Sequence, residues 1–149
     1  MTKSPLDFET IEEAEEFIRG VEDLNFLPED LQIIAVLGDH HSYEKIVNPT
    51  EKVKLAAVMG FGRNIFFMKD PSEEICQTAV SNDGDVIKYI KNPSLETQLI
   101  AVAKRPLAIA WLKNPCEEVQ LAAIHKDSRV IAHINNPTEN ALMLAKLIN

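Results

Sequence analysis

Two cysteines, Cys76 and Cys116, are too few for a disulfide framework or a four-cysteine zinc site, and they fall in different registers of the pattern described below. A reducing cytoplasm is therefore the expected compartment. Long apolar runs are also missing: stretches such as Ile33 to Leu37 fall far short of the roughly 18 residues that cross a bilayer as a helix. The opening MTKSPLDFETIEEAEEF has acids where an export signal needs an apolar core, so no export is expected. HxxxH, HExxH and CxxC spacings are absent, and His40, His41, His125 and His133 read as surface histidines, so no metal is expected. The Gly60, Phe61, Gly62 turn lacks the strand and the lysine of a phosphate loop. Cys116 has no base assigned to it by the spacing. Neither a carboxylate pair nor an activated nucleophile can be assembled, so neither an enzyme nor a cofactor is expected.

With 149 residues, 46% of them apolar and 26% charged, the chain fits one soluble globular domain. Its net charge of −8 is unevenly placed. Residues 1 to 30 hold ten acids against Lys3 and Arg19, whereas from Leu31 onward acids and bases balance. The acidity belongs to one end, where it favours basic partners and opposes nucleic acid phosphates.

What fills the rest is one pattern written at a 22-residue period: NPTEKVKLAAVMGFGRNIFFMK, DPSEEICQTAVSNDGDVIKYIK, NPSLETQLIAVAKRPLAIAWLK and NPCEEVQLAAIHKDSRVIAHIN, then NPTENALMLAKLIN. A degraded copy, FLPEDLQIIAVLGDHHSYEKIV, precedes them. A fixed period of this kind indicates an α-helical repeat array. The expected organisation is an acidic capping helix over 1–25 and an array over 26–149. The array divides into a degraded repeat 26–47, repeats 48–69, 70–91, 92–113 and 114–135, and a half repeat 136–149. In the cap, Thr10 and Glu13 form a capping box, apolar residues recur at helical spacing, and the helix runs from about Ile11 to Arg19 with Gly20 as its stop.

Within each copy Asn48, Asp70, Asn92, Asn114 and Asn136 read as helix N-caps, each followed by a proline at the first helical position. Glu51, Glu73, Glu117 and Glu139 then close capping boxes, with Leu95 as the exception. The first helix carries the alanine column Ala57, Ala79, Ala101, Ala123, Ala145, expected at the closest helix approach, flanked by aliphatic columns. After a polar break holding Gly62, Gly84, Pro106 and Ser128 in one register, a second helix of about two turns presents Ile65, Ile87, Ile109 and Ile131.

The period is shorter than tetratricopeptide, ankyrin or HEAT units. On the Asx-Pro motif, the alanine column and the short second helix, residues 26 to 149 resemble the leucine-rich-repeat-variant family. That resemblance implies an α-helix paired with a short 3₁₀ helix in a right-handed superhelix. The unit here is shorter and the cysteine-rich N-terminal cluster linked with that family is missing, so no iron–sulfur cofactor is implied. The NPSEEVQLAAV-type wording also resembles tandem repeats of bacteriophage and bacterial proteins. The expected fold is an all-α right-handed α-solenoid.

In a stacked array a column becomes a stripe. Phe67, Tyr89, Trp111 and His133 share one column, with Lys45 in the degraded copy, and Lys69, Lys91 and Lys113 follow two residues later. Rings bordered by cations suit a protein-binding surface or a track for single-stranded nucleic acid; the bland alternative is that they seal successive short helices. The Asx column reads as capping, with a ladder for a peptide main chain as the alternative. The reading adopted is a non-enzymatic protein-interaction module. An acidic DNA mimic built on Glu12, Glu13, Glu15, Glu16, Glu22 and Asp23 is a third reading, weakened because these acids sit at one end.

Overall fold

The computed structural model describes residues 7–148; the first six residues of the expected cap, and Asn149 at the end of the half repeat, lie outside them. Among the described residues there is no strand. The described residues form seven α-helices: α1 (Ile11–Arg19), α2 (Glu29–Gly38), α3 (Glu51–Gly60), α4 (Glu73–Asn82), α5 (Leu95–Lys104), α6 (Glu117–Lys126) and α7 (Glu139–Ile148). Between them lie 3₁₀ helices, Leu24–Phe26 and Tyr43–Lys45 near the N-terminus, then Gly62–Phe67, Gly84–Tyr89, Pro106–Trp111 and Ser128–His133. Each α-helix packs on the next, and the last four 3₁₀ helices pack on one another in the same order. No described helix is long and apolar enough to cross a membrane.

Helix α1 forms as the sequence indicates. Thr10 Oγ1 accepts from Glu13 N at 3.2 Å, and the Glu13 carboxylate reaches back to Glu9 N at 3.0 Å, one residue beyond the reciprocal partner of a capping box. Gly20 ends the helix in a right-handed conformation, φ −88°. Its Ala14 and Ile18 are buried on α2, and acids occupy the outer side.

In the array the N-cap assignment needs correcting. The caps are Thr50, Ser72, Ser94, Cys116 and Thr138, two residues after the Asx column. Hydroxyls of Thr50, Ser72, Ser94 and Thr138 accept from Val53, Ile75, Thr97 and Ala141 N at 3.1 to 3.4 Å. Asn48, Asp70, Asn92 and Asn136 instead take positive φ, 49° to 58°. Asn and Asp tolerate this left-handed turn better than other side chains, while the residue before a proline is excluded from the right-handed helical region. The prolines therefore follow a turn and do not open the helix. With the caps moved, Glu51, Glu73, Glu117 and Glu139 become the first helical residues and close no capping box.

Two of them, Glu73 and Glu117, and Glu29 at the same position of α2, instead reach the next helix, while Glu51 accepts from Lys54 of its own helix. Glu73 accepts from Ser94 Oγ and, at 2.7 Å, from Thr97 Oγ1 on the next helix, and Thr97 is fully buried. Glu29 accepts from Thr50 Oγ1 at 2.7 Å, and Glu117 from Asn140 Nδ2. The hydroxyls of Ser94 and Thr97 hold the Glu73 carboxyl below its usual range, and Thr50 does the same for Glu29. A carboxylate with a depressed folded pKa stabilises above its unfolded value and stops doing so as the pH falls through the folded one, so these clasps weaken in acid.

One junction has neither half of the clasp. Leu95 stands where the glutamate would be, 45% exposed, and the cap that should meet it is Cys116, exposed and without a side-chain capping bond. Cys116→Ser should supply the missing acceptor to the first turn of α6 and raise the unfolding free energy by about 0.5–1 kcal/mol, read as a higher urea midpoint at constant slope. An unchanged midpoint would show that the first turn of α6 is already satisfied by water.

The core lies between the α-helical and 3₁₀ layers. The alanine column is buried throughout, with Ala57, Ala79, Ala101 and Ala123 at 0% exposure, beside Val58, Val80, Val102 and Ile124. One apolar cluster gathers α1 to α3 and a second runs from Val58 to Ala145, with Met68 packed against both. The buried polar side chains are all satisfied: Thr97 by Glu73, Ser42 by donating to Asp39 Oδ2, Asn64 by donating to Ala57 O, and Gln120 by donating to Pro115 O and accepting from Thr138 N.

Candidate interaction surface

The short helices that follow α3 to α6 are 3₁₀ and six residues long, two turns each. Their turns close by bonds such as Asn64 N to Phe61 O and Met68 N to Ile65 O. With three residues per turn, positions three apart eclipse. Ile65, Ile87 and Ile109 therefore face the core with Met68, Ile90 and Leu112 after them, and the intervening residues turn outward. Phe67 is 48% exposed, Tyr89 40% and Trp111 52%, and His133 is exposed.

Contacts between the rings run across columns as well as along one. Phe66, 61% exposed, meets Phe67 edge-on at 5.1 Å and Tyr89 of the next turn at 5.1 Å and 68°. The Lys88 ammonium lies 5.0 Å from the Tyr89 centroid and 5.0 Å from that of Trp111. The ridge thus reads Phe67, Phe66, Tyr89, Lys88, Trp111 across three successive turns. Phe66 and Lys88 escape a column-by-column reading of the sequence because they belong to the neighbouring register, which continues as Ala110 and Ala132. His133 makes no ring contact with Trp111 and marks the end of the ridge.

Lys69, Lys91 and Lys113 are exposed beside it. Between successive turns the surface forms two clefts. One, of about 580 Å³, is bounded by Lys88, Lys91, Trp111 and Lys113 over Gln98. The other, of about 540 Å³, lies between Lys69, Asp70, Tyr89 and Lys91. Lys91 and Ile90 line both. Elsewhere on the array five of nine cations are paired: Lys52 with Glu29, Lys54 with Glu51, Arg63 with Asp83, Arg105 with Asp85 and Arg129 with Asp127. Among the described residues no carboxylate lies within ion-pair distance of Lys69, Lys88, Lys91 or Lys113.

The acidic end is divided in its roles. Glu12, Glu16 and Glu22 are exposed. Asp23, by contrast, caps the 3₁₀ helix Leu24–Phe26, and its bonds from the Asn25 backbone and side chain hold its carboxyl below the usual range. Glu13 bonds to the entry of α1, and Glu15 is partly buried over Gly38, on the rim of a cavity shared with Arg19, Asp39 and Lys45.

The remaining titratable groups are scattered. The His40 and His41 rings lie 3.8 Å apart, tilted by 40°, beside Phe61, with Asp39 and Glu44 nearby. Burial, followed by the charge of Glu73, pushes the Cys76 thiol up. Among the described residues no group of three or more histidines, cysteines or acids could hold a metal ion. No family model, curated protein or solved structure matches this chain.

Proposed function

We propose that the chain is a right-handed α-solenoid of 22-residue units and that it works as a non-enzymatic protein-interaction module in the cytoplasm. α-Helices begin at residues 51, 73, 95, 117 and 139, and each of the first four is followed by a 3₁₀ helix, which supports that architecture. The observation that carries the functional reading is the exposed ridge of four rings, Phe66, Phe67, Tyr89 and Trp111, joined edge to edge and through Lys88. Exposed contiguous rings on a soluble surface mark interaction sites, and aromatic anchors dominate protein interfaces. The likeness to bacteriophage repeats suits a host-directed adaptor or inhibitor.

A selection of displayed random peptides on the wild-type protein should enrich binders that lose about tenfold or more in affinity on Tyr89→Ala/Trp111→Ala. Helical content by circular dichroism should be unchanged, because both rings are substantially exposed. Binders indifferent to the double substitution would remove the ridge from the interface.

The lysine border also suits single-stranded nucleic acid, the second reading. It requires affinity that falls steeply with salt. Failure of the protein to shift single-stranded DNA or RNA at low salt ends it.

A further inference from the structure

We infer that the ridge receives an acidic linear peptide whose carboxylates recur about every third residue of an extended chain. This rests on the reading of the ridge as a protein-binding surface and specifies what binds there.

Charge is the first ground. On a chain of net charge −8, the segments 65–69, 87–91 and 109–113 contain Lys69, Lys88, Lys91 and Lys113 and no acid. None of the four has a carboxylate partner among the described residues, whereas five of the nine other cations of the array do. The larger cleft has three of these lysines and Trp111 on its walls and no acidic lining residue; the smaller has Lys69 and Lys91 against one acid, Asp70. An incoming carboxylate finds complementary charge there with no internal ion pair to displace.

The rings argue for a peptide over bases. A nucleic acid track needs aromatic faces open for stacking. Here the Lys88 ammonium lies over both Tyr89 and Trp111, and Phe66 meets Tyr89 edge-on. Apolar side chains can pack on the remaining edges, whereas the ring faces beneath the Lys88 ammonium are not open to a stacked base.

Spacing follows from the scaffold. The two clefts occupy consecutive turns and share Lys91. Neighbouring packed helices lie about 8–10 Å apart, and an extended chain covers roughly 10 Å in three residues. A carboxylate in each cleft therefore sits about three positions from the next, with apolar residues between them on the ridge.

The test uses the whole protein and four probes. One is a short synthetic peptide with glutamate at every third position separated by leucine and serine. The second is its permutation with the glutamates adjacent, the third has lysine for each glutamate, and the fourth is single-stranded oligo-dT. Trp111 is the sole tryptophan, so its emission reports on the site, and calorimetry gives affinity. The spaced acidic peptide should change Trp111 emission saturably, bind more weakly as salt rises, and lose about two- to fivefold in affinity for each of Lys91→Ala and Lys113→Ala. The permuted peptide should bind several-fold more weakly and the lysine peptide not at all. Equal binding of the permuted or lysine peptide overturns the inference and leaves protein binding at the ridge standing. Preference for oligo-dT overturns both. Silence from every probe, or self-association through the ridge in their place, overturns the acidic-peptide assignment, while the display selection still decides the broader reading.

Discussion

Truncating Ile109 to alanine should cost the fold about 2–5 kcal/mol, the range for removing a buried aliphatic side chain and leaving a cavity. Ile109 is 1% exposed and sits in the continuous core that runs from Val58 to Ala145, beneath the strip of surface carrying Trp111. Its 3₁₀ helix, Pro106–Trp111, packs on both α5 and α6, so two α-helices would have to move to fill the space. For a domain of this size the loss corresponds to roughly 4–20 °C in Tm. Leu107, in the same short helix and 39% exposed, is the matched control, and Leu107→Ala should cost well under half as much. Equal costs at the two positions would mean that Pro106–Trp111 does not present its isoleucine to the core.

The placement of Ile109 is legible in the sequence alone, because apolar columns at a fixed period can satisfy one another only by stacking. The cap helix with Thr10 and Gly20 was readable for the same kind of reason: a single local rule decides it. The N-caps of the array were not, because two adjacent signals compete. Asn or Asp before proline and the Ser or Thr two residues later are all good capping types. What separates them is a backbone fact, the positive φ of Asn48, Asp70, Asn92 and Asn136, which gives the cap to the hydroxyl column. Cys116 then reads as a cap lacking its acceptor, a meaning invisible when its column is treated as a set of small residues. At the surface the limit was different. One position per repeat identified Phe67, Tyr89 and Trp111, but the contacts that join them pass through Phe66 and Lys88 in the next register, and only the geometry of three-residue turns brings those together.

Gly84→Ala should destabilise the protein by about 1–3 kcal/mol through overpacking. The glycine is buried at the start of Gly84–Tyr89, where a Cβ would lie 2.7 Å from Ala101 O and 3.0 Å from Arg105 Cβ. Its φ is not positive, so conformation alone would tolerate a side chain and the requirement is one of close approach. Ala101 O already accepts from Arg105 N at 2.8 Å at the end of α5, and Arg105 pairs with Asp85 at 3.0 Å across the same junction. An added methyl would have to push the 3₁₀ helix off the α5 terminus, lengthening that ion pair and opening the core beneath. Gly62 stands in the same relation to Ala79 O, also at 2.7 Å, so Gly62→Ala should behave alike. Gly38 supplies the opposite case at the end of α2. A Cβ there meets nothing nearer than Glu15 Oε1 at 3.6 Å, and replacing this glycine restricts mainly the unfolded chain, so Gly38→Ala should be neutral or stabilise by up to about 1 kcal/mol. Urea unfolding of the three variants reads the contrast directly. A gain at position 84 equal to that at 38 would show that the junction between the short helix and α5 has room to spare. Loss at 84 with gain at 38 would show that the approach of Gly84–Tyr89 to α5, which sets the positions of Lys88 and Tyr89 on the ridge, is fixed by contact with main chain.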